Sequence, residues 1–174
     1  MAVLIFVVLA VLRVLVFRPE LSSDGKPREK AVVKYVIDGD TFDIQDGRRI
    51  RMLGIDAPEA GFGGKQAEPF SAEATAWLRD RIEGREILLR IDHPKTDRYG
   101  RTLAWIFEPD GILVNQQMLL AGHVKLLADF GLPADLEPVL RQAESEARIR
   151  RLGLWAPKRK PTSGGARSTS DGEK

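Results

Sequence analysis

Five side chains in the middle of this sequence have the chemistry to act on a phosphate: Asp40, Arg51, Asp56, Glu59 and Arg101. Carboxylates bind hard divalent cations through oxygen, and guanidinium groups offer planar forks of donors to phosphate oxygens. A held cation, a carboxylate that orients or deprotonates water and two arginines are the parts that metal-assisted phosphodiester hydrolysis requires. Each cluster has a plainer reading when taken alone. Asp38-Gly39-Asp40 is a turn signal, Asp56-Ala57-Pro58-Glu59 a capped loop in which Pro58 biases Ala57 toward an extended backbone, and Thr96–Arg101 a polar connection with a surface arginine. Arg51 resists the plain reading. It stands in an apolar run with Met52, Leu53 and Ile55, and a strand period puts it on the face of Leu53 and Ile55. A charge so placed needs a partner. Asp40, Asp56, Glu59 or a substrate phosphate can supply one.

The elements that must position these groups begin with short strands. Residues 31–37, 41–44 and 48–55 are apolar or alternating, and Asp46-Gly47 between the last two signals a hairpin turn. A helix is expected from a cap at or near Ser71 to about Ile82, with Ala72, Ala76, Leu78 and Ile82 on its apolar face and Gly84 ending it. Residues 86–91 and 102–107 give two more strands, and 114–120 a short helix ending at Gly122. A longer helix over 136–152 has Leu136, Val139, Leu140, Ala143, Ala147 and Ile149 at roughly helical spacing, with Pro138 tolerated in its first turn. Five short strands with a helix between the third and fourth predict a mainly β, α+β domain: a small, partly closed Greek-key barrel with about three helices. Trp77, Trp105 and Trp155 fit core positions.

Composition narrows the chemistry. The chain has no cysteine, so disulfides and thiolate metal sites are excluded, and His93 and His123 are too few and too isolated for a zinc site. Residues 31–156 carry 17 Lys/Arg against 20 Asp/Glu. A polyanion would therefore be held by a few placed arginines and a metal ion, not by a broad basic face.

Three segments, Val36-Ile37-Asp38-Gly39-Asp40-Thr41, Arg51–Glu59 and Thr96–Arg101, resemble the signature blocks of the staphylococcal-nuclease-like (thermonuclease) family, in that family's order. Gly153-Leu154-Trp155 also looks like the end of its domain, so the likeness spans 31–156. The resemblance implies an OB-fold five-stranded Greek-key barrel and Ca2+-dependent hydrolysis of DNA and/or RNA to 3′-phosphate ends. It assigns Asp40, Asp56 and Ala57 to the metal, Ala57 through its main-chain carbonyl, and Arg51, Glu59 and Arg101 to catalysis. It places Arg98 and Tyr99 beside a terminal phosphate and sugar, and Lys65 in a glycine-rich loop (Gly61, Gly63, Gly64) that is expected to be mobile. The base-flanking tyrosines of the best-known members are replaced here by Ala128 and Phe130. Phe130 can still stack on a base and Ala128 cannot. A non-catalytic binding module on the same barrel, or a membrane-tethered scaffold, is the alternative.

The two ends differ from the middle. Residues 1–17 are apolar except for Arg13, short of the roughly 20 residues of a full span. No basic start precedes this run and no Ala-x-Ala follows it, so an uncleaved anchor and a cleaved export signal both remain open. Either implies a membrane-anchored or exported protein, with the side of the membrane undetermined. Residues 18–30 read as a polar linker and 157–174 as a disordered basic tail. A monomer is expected.

Overall fold

The structure, a computed structural model, describes residues 28–61, 63–64, 66–92, 95–129 and 131–157. The anchor or signal segment, most of the linker, nearly all of the tail, Lys65 and Phe130 lie outside the described residues.

Strands alternate as the sequence suggests, and their inward residues build the core. β1 (Glu29–Val36), β2 (Thr41–Ile44) and β3 (Arg49–Met52) form an antiparallel meander. The β2–β3 turn is built on Gly47, whose φ of 95° is the left-handed geometry a tight hairpin needs. After β4 (Ile55–Asp56) and helix α1 (Ser71–Ile82) come β5 (Glu86–Arg90) and β6 (Thr102–Phe107). The five long strands close into a barrel in the order β1-β2-β3-β6-β5. β6 lies parallel to β3, with Arg51 opposite Leu103, and antiparallel to β5. An irregularity between Val33 and Tyr35 lets β1 serve two neighbours, its first half pairing β5 and its second half β2. This is the OB-type barrel expected, and it is closed.

Val33, Val36, Phe42, Ile44, Ile50, Met52, Ile87, Leu89, Ile106 and Phe107 fill the barrel and are at most 1% exposed. Burying each such side chain contributes about 1.5–3 kcal/mol before the entropy of ordering it. Leu78 and Ile82 of α1 join this core, as do Val114, Met118 and Leu119 of α2 (Val114–Leu120) and Leu140 and Ala143 of α3 (Glu137–Arg150). A two-residue strand β7 (Lys125–Leu126) pairs β4, and a 3-10 turn (Gly153–Trp155) follows α3.

Four local expectations are corrected. The strand expected over 48–55 breaks at Gly54, where φ is 67° and a Cβ would stand 2.4 Å from the Trp105 ring. The break resets the period, so Ile55 joins Met52 in the core and Arg51 takes the other face. Helix α1 starts where expected, with Phe70 as its cap at φ 70° and no side-chain hydrogen bond, but its apolar face runs through Ala74, Leu78 and Ile82, while Ala72 and Ala76 are exposed. The apolar face of α3 runs through Leu136, Leu140, Ala143 and Ala147, spaced four, three and four, and Ile149 falls off it, 79% exposed. Trp105 is buried as expected, whereas Trp77 and Trp155 are only partly buried.

Candidate active site

The Gly54 turn between β3 and β4 is the frame of the site, and it is tied on every side by main-chain bonds. Met52 N–H donates to Asp40 O (2.9 Å), Leu53 N–H to Ala104 O (2.9 Å) and Leu127 N–H to Gly54 O (2.9 Å). Asn115, fully buried on α2, donates from its side-chain amide to Leu53 O (2.8 Å) and accepts from Ile106 N–H (3.0 Å). These bonds fix the ends of β3 and β4 against β6 and α2, and with them the side chains of Arg51 and Asp56.

Arg51 has its side chain 13% exposed and uses its fork fully. Nη1 donates to the carbonyls of Met52 and Ile55, both at 2.9 Å, so it staples the Gly54 turn. Nη2 donates to Asp56 Oδ1 at 2.9 Å and lies 3.1 Å from Asp40 Oδ2. The two carboxylates come from different loops and meet at one nitrogen. Asp40 is buried and oriented: Oδ1 accepts from the Thr41 hydroxyl (2.9 Å) and Oδ2 from Ala57 N–H (2.8 Å). Burial pushes the Asp40 carboxyl up and Arg51 pulls it back, while Asp38 nearby pushes it further; the balance stands at about 7. Asp56 is open to solvent on its other side.

Glu59, Tyr99 and Arg101 line a neighbouring cleft of about 900 Å3 with Asp43 and Arg49. Arg101 is aimed by Asp97, which accepts from its Nε (2.7 Å) and from the main-chain N–H groups of Tyr99 (2.9 Å) and Arg101 (3.0 Å). Burial works against the Asp97 charge, but the Arg101 guanidinium and those N–H groups hold the carboxyl below its ordinary value. Arg98 donates to the Tyr99 hydroxyl (2.7 Å) over an exposed ring. Glu59 is held by its backbone: its carbonyl accepts from Glu68 N–H (2.9 Å) and its N–H donates to Glu68 Oε2 (3.2 Å). Its exposed carboxylate has no hydrogen-bond or ion-pair partner among the described residues.

The structure thus joins Asp40, Arg51, Asp56 and Ala57 directly, and gathers Glu59, Tyr99 and Arg101 around a neighbouring cleft, with Arg98 reaching Tyr99 but outside the lining. The segment 56–59 connects the two groups. Sequence reading missed Asn115, Glu68, Asp43 and Arg49 in this setting. A buried asparagine carries no sequence signal of its own, and the other three read as surface charges.

A family model described as staphylococcal nuclease homologue matches residues 49–157. A probable endonuclease lcl3 of Sclerotinia sclerotiorum is 41% identical over 122 residues, covering 64% of this chain and 43% of the relative. An uncharacterized endonuclease of Escherichia coli is 33% identical over 127 residues, 71% of this chain and 75% of the relative. A thermonuclease of Staphylococcus intermedius is 33% identical over 138 residues, 77% of this chain and 80% of the relative. The chain spans less than half the length of the fungal relatives it matches.

Proposed function

The chain belongs to the staphylococcal nuclease homologue family, and we propose that it is a Ca2+-dependent nuclease that hydrolyses phosphodiester bonds of DNA or RNA to 3′-phosphate products. The observation that carries this reading is the meeting of Asp40 and Asp56 on one nitrogen of Arg51, beside a cleft where Glu59 keeps a free carboxylate near Arg101.

The donors fit a hard ion. Asp40 and Asp56 offer oxygen only, and burial with Asp38 nearby raises the Asp40 carboxyl to about 7, so its charged form is disfavoured here and would be favoured by a divalent cation. Among the described residues no group of three or more His, Cys, Asp or Glu encloses an ion. The remaining positions would fall to the Ala57 carbonyl, water and substrate, which suits calcium's irregular coordination. When bound, such an ion polarises a phosphoryl oxygen and acidifies water.

The protein's own groups divide the rest of the work. Glu59 accepts the proton of the attacking water or orients it, and its carboxylate has no competing partner among the described residues. Arg51 is anchored by Nη1 on two carbonyls, and its Nη2, which holds Asp56 and Asp40 here, would turn to phosphate charge where a cation took over those two carboxylates. Arg101, aimed by Asp97, approaches from the other cleft, and both guanidinium groups matter most as charge builds in the transition state. Arg98 and Tyr99 lie where a flanking phosphate and sugar would pass. Lys65 and Phe130 complete the proposed substrate contacts.

The test incubates the full chain with single-stranded DNA and with RNA, with calcium and with chelator. Chelator-sensitive cleavage leaving 3′-phosphate ends is expected. Binding without cleavage at any calcium concentration would replace the enzyme by a binding module. Residues 1–17 support a membrane-anchored or exported location; N-terminal sequencing of the mature protein and fractionation of cells test it. The monomer is tested by light scattering.

A further inference from the structure

Asp56, Ala57 and Pro58 line one cleft, and the next residue, Glu59, lines another, the Glu59–Tyr99–Arg101 cleft. The first, about 820 Å3, is lined by Asp56, Pro58, Phe70, Lys125, Leu154 and Pro157 among others, and the proposed chemistry does not use it. Its volume is that of a small-molecule site, and its walls are largely apolar, with one cation, Lys125, and two carboxylates, Asp56 and Glu68.

Lys125 is the informative residue. It stands directly opposite Asp56 in the β4–β7 ladder, where opposite charges ordinarily pair. Asp56 turns to Arg51 instead. Glu144, the acid of α3 that reaches β7, accepts from Leu126 N–H (2.8 Å) and pairs with Arg148 (3.0 Å). Lys125 is exposed and has no ion pair among the described residues. An ammonium with no ion pair among the described residues therefore flanks the carboxylate proposed to hold the metal ion. Phe70 lines the same cleft at φ 70°, a backbone conformation that bulky residues rarely adopt.

A polynucleotide repeats phosphate, sugar and base, so a strand cut in its interior must leave the site on both sides of the bond. We infer that the Phe70–Lys125 cleft is a second nucleotide subsite, taking the nucleotide across the scissile phosphate from the one in the Tyr99–Arg101 cleft. Lys125 grips the next phosphate and Phe70 offers its ring to the base. This inference rests on the nuclease reading for its orientation, but its test needs no hydrolysis.

Binding of a fluorescent single-stranded DNA decamer to the full chain is measured in chelator across a range of KCl. A nucleoside 5′-phosphate methyl ester, which has one nucleoside only, serves as competitor. Lys125→Ala is expected to weaken decamer binding about tenfold and to flatten the slope of log affinity against log salt by about 0.7, the loss of one phosphate contact. Lys125→Arg restores both. Phe70→Leu weakens the decamer about tenfold with the slope kept, as loss of one stacked base predicts. For each variant the decamer loses more affinity than the methyl ester does. An unchanged salt slope in Lys125→Ala, or equal losses for decamer and methyl ester, overturns the subsite. A wild-type chain that never cleaves with calcium refutes the nuclease reading, and the binding result still decides the subsite.

Discussion

Arg51→Lys separates charge from geometry, because lysine keeps the cation and loses the fork. In the native chain Arg51 makes two bonds to main-chain carbonyls and reaches two carboxylates. A lysine ammonium can keep the buried Asp40 pairing and at most one more contact. The Asp56 bond is worth little to stability, since that carboxylate is more than half exposed. The stability cost therefore comes from the Met52 and Ile55 carbonyls, which lose a charged donor at the Gly54 turn, about 2–3 kcal/mol in all. The catalytic cost comes from losing an oriented donor to the transition state, about 10²–10³ in kcat. Urea unfolding followed by tryptophan emission reads the first cost, and Trp105, packed on Gly54, reports the turn itself. Turnover of single-stranded DNA at saturating calcium reads the second. A folded Lys variant with kcat within threefold of wild type would refute the role given to the fork. Unchanged unfolding would refute the staple.

Three further outcomes follow from other side chains. Glu59→Gln should lower kcat by about 10²–10⁴ and move unfolding by no more than about 0.5 kcal/mol, because its carboxylate holds nothing in the fold; equal activity in a steady-state assay removes it as the base. Arg90→Met should destabilise by about 3 kcal/mol in denaturant titration. Burial opposes the Arg90 charge, yet Asp135 (2.6 Å) and Asp92 (3.2 Å) hold its pKa above the ordinary value, and a variant of native stability would mean that those carboxylates rehydrate without cost. His123 packs on Trp77 with Nδ1 buried and unpartnered, and burial holds its pKa below 6.5 against the pull of Glu73. The unfolded chain then binds more protons below pH 6.5, so this contribution to stability is complete above 6.5 and lost as pH falls through the lowered pKa. Unfolding free energy measured from pH 8 to 5 should fall less in His123→Gln than in wild type.

Much of the barrel was readable because period-two alternation and Asp46-Gly47 are strong local signals. The elements that escaped are the ones tertiary contact creates. β4 and β7 have two residues each, too few for a period, and exist because Ile55 and Leu126 meet across the frame. The Gly54 break is set by the Trp105 ring, far away in sequence. Phe70 as the cap of α1 breaks the usual preference for Ser, Thr, Asp or Asn, so propensity located the cap only to the neighbourhood of Ser71. At the site, Arg51 was conspicuous because a charge interrupts an apolar run. Its commitment to the Met52 and Ile55 carbonyls was not, since nothing in residue spacing says that a guanidinium will serve the main chain. Asp97 stood inside a motif without a role until its bonds to Arg101 gave it one.

The parallel pairing of β3 with β6 also sets the order in which this protein can be made. Without β6, the meander of β1, β2 and β3 with β5 paired to β1 leaves one gap in the wall. Only when residues 102–107 have left the ribosome can β6 slide into that gap, satisfying β3 on one side and β5 on the other. Until then two bare strand edges face each other, a template for wrong partners. β6 is thus a keystone. A chain that ended before Thr102 would carry four of the five barrel strands and no means of closing the wall.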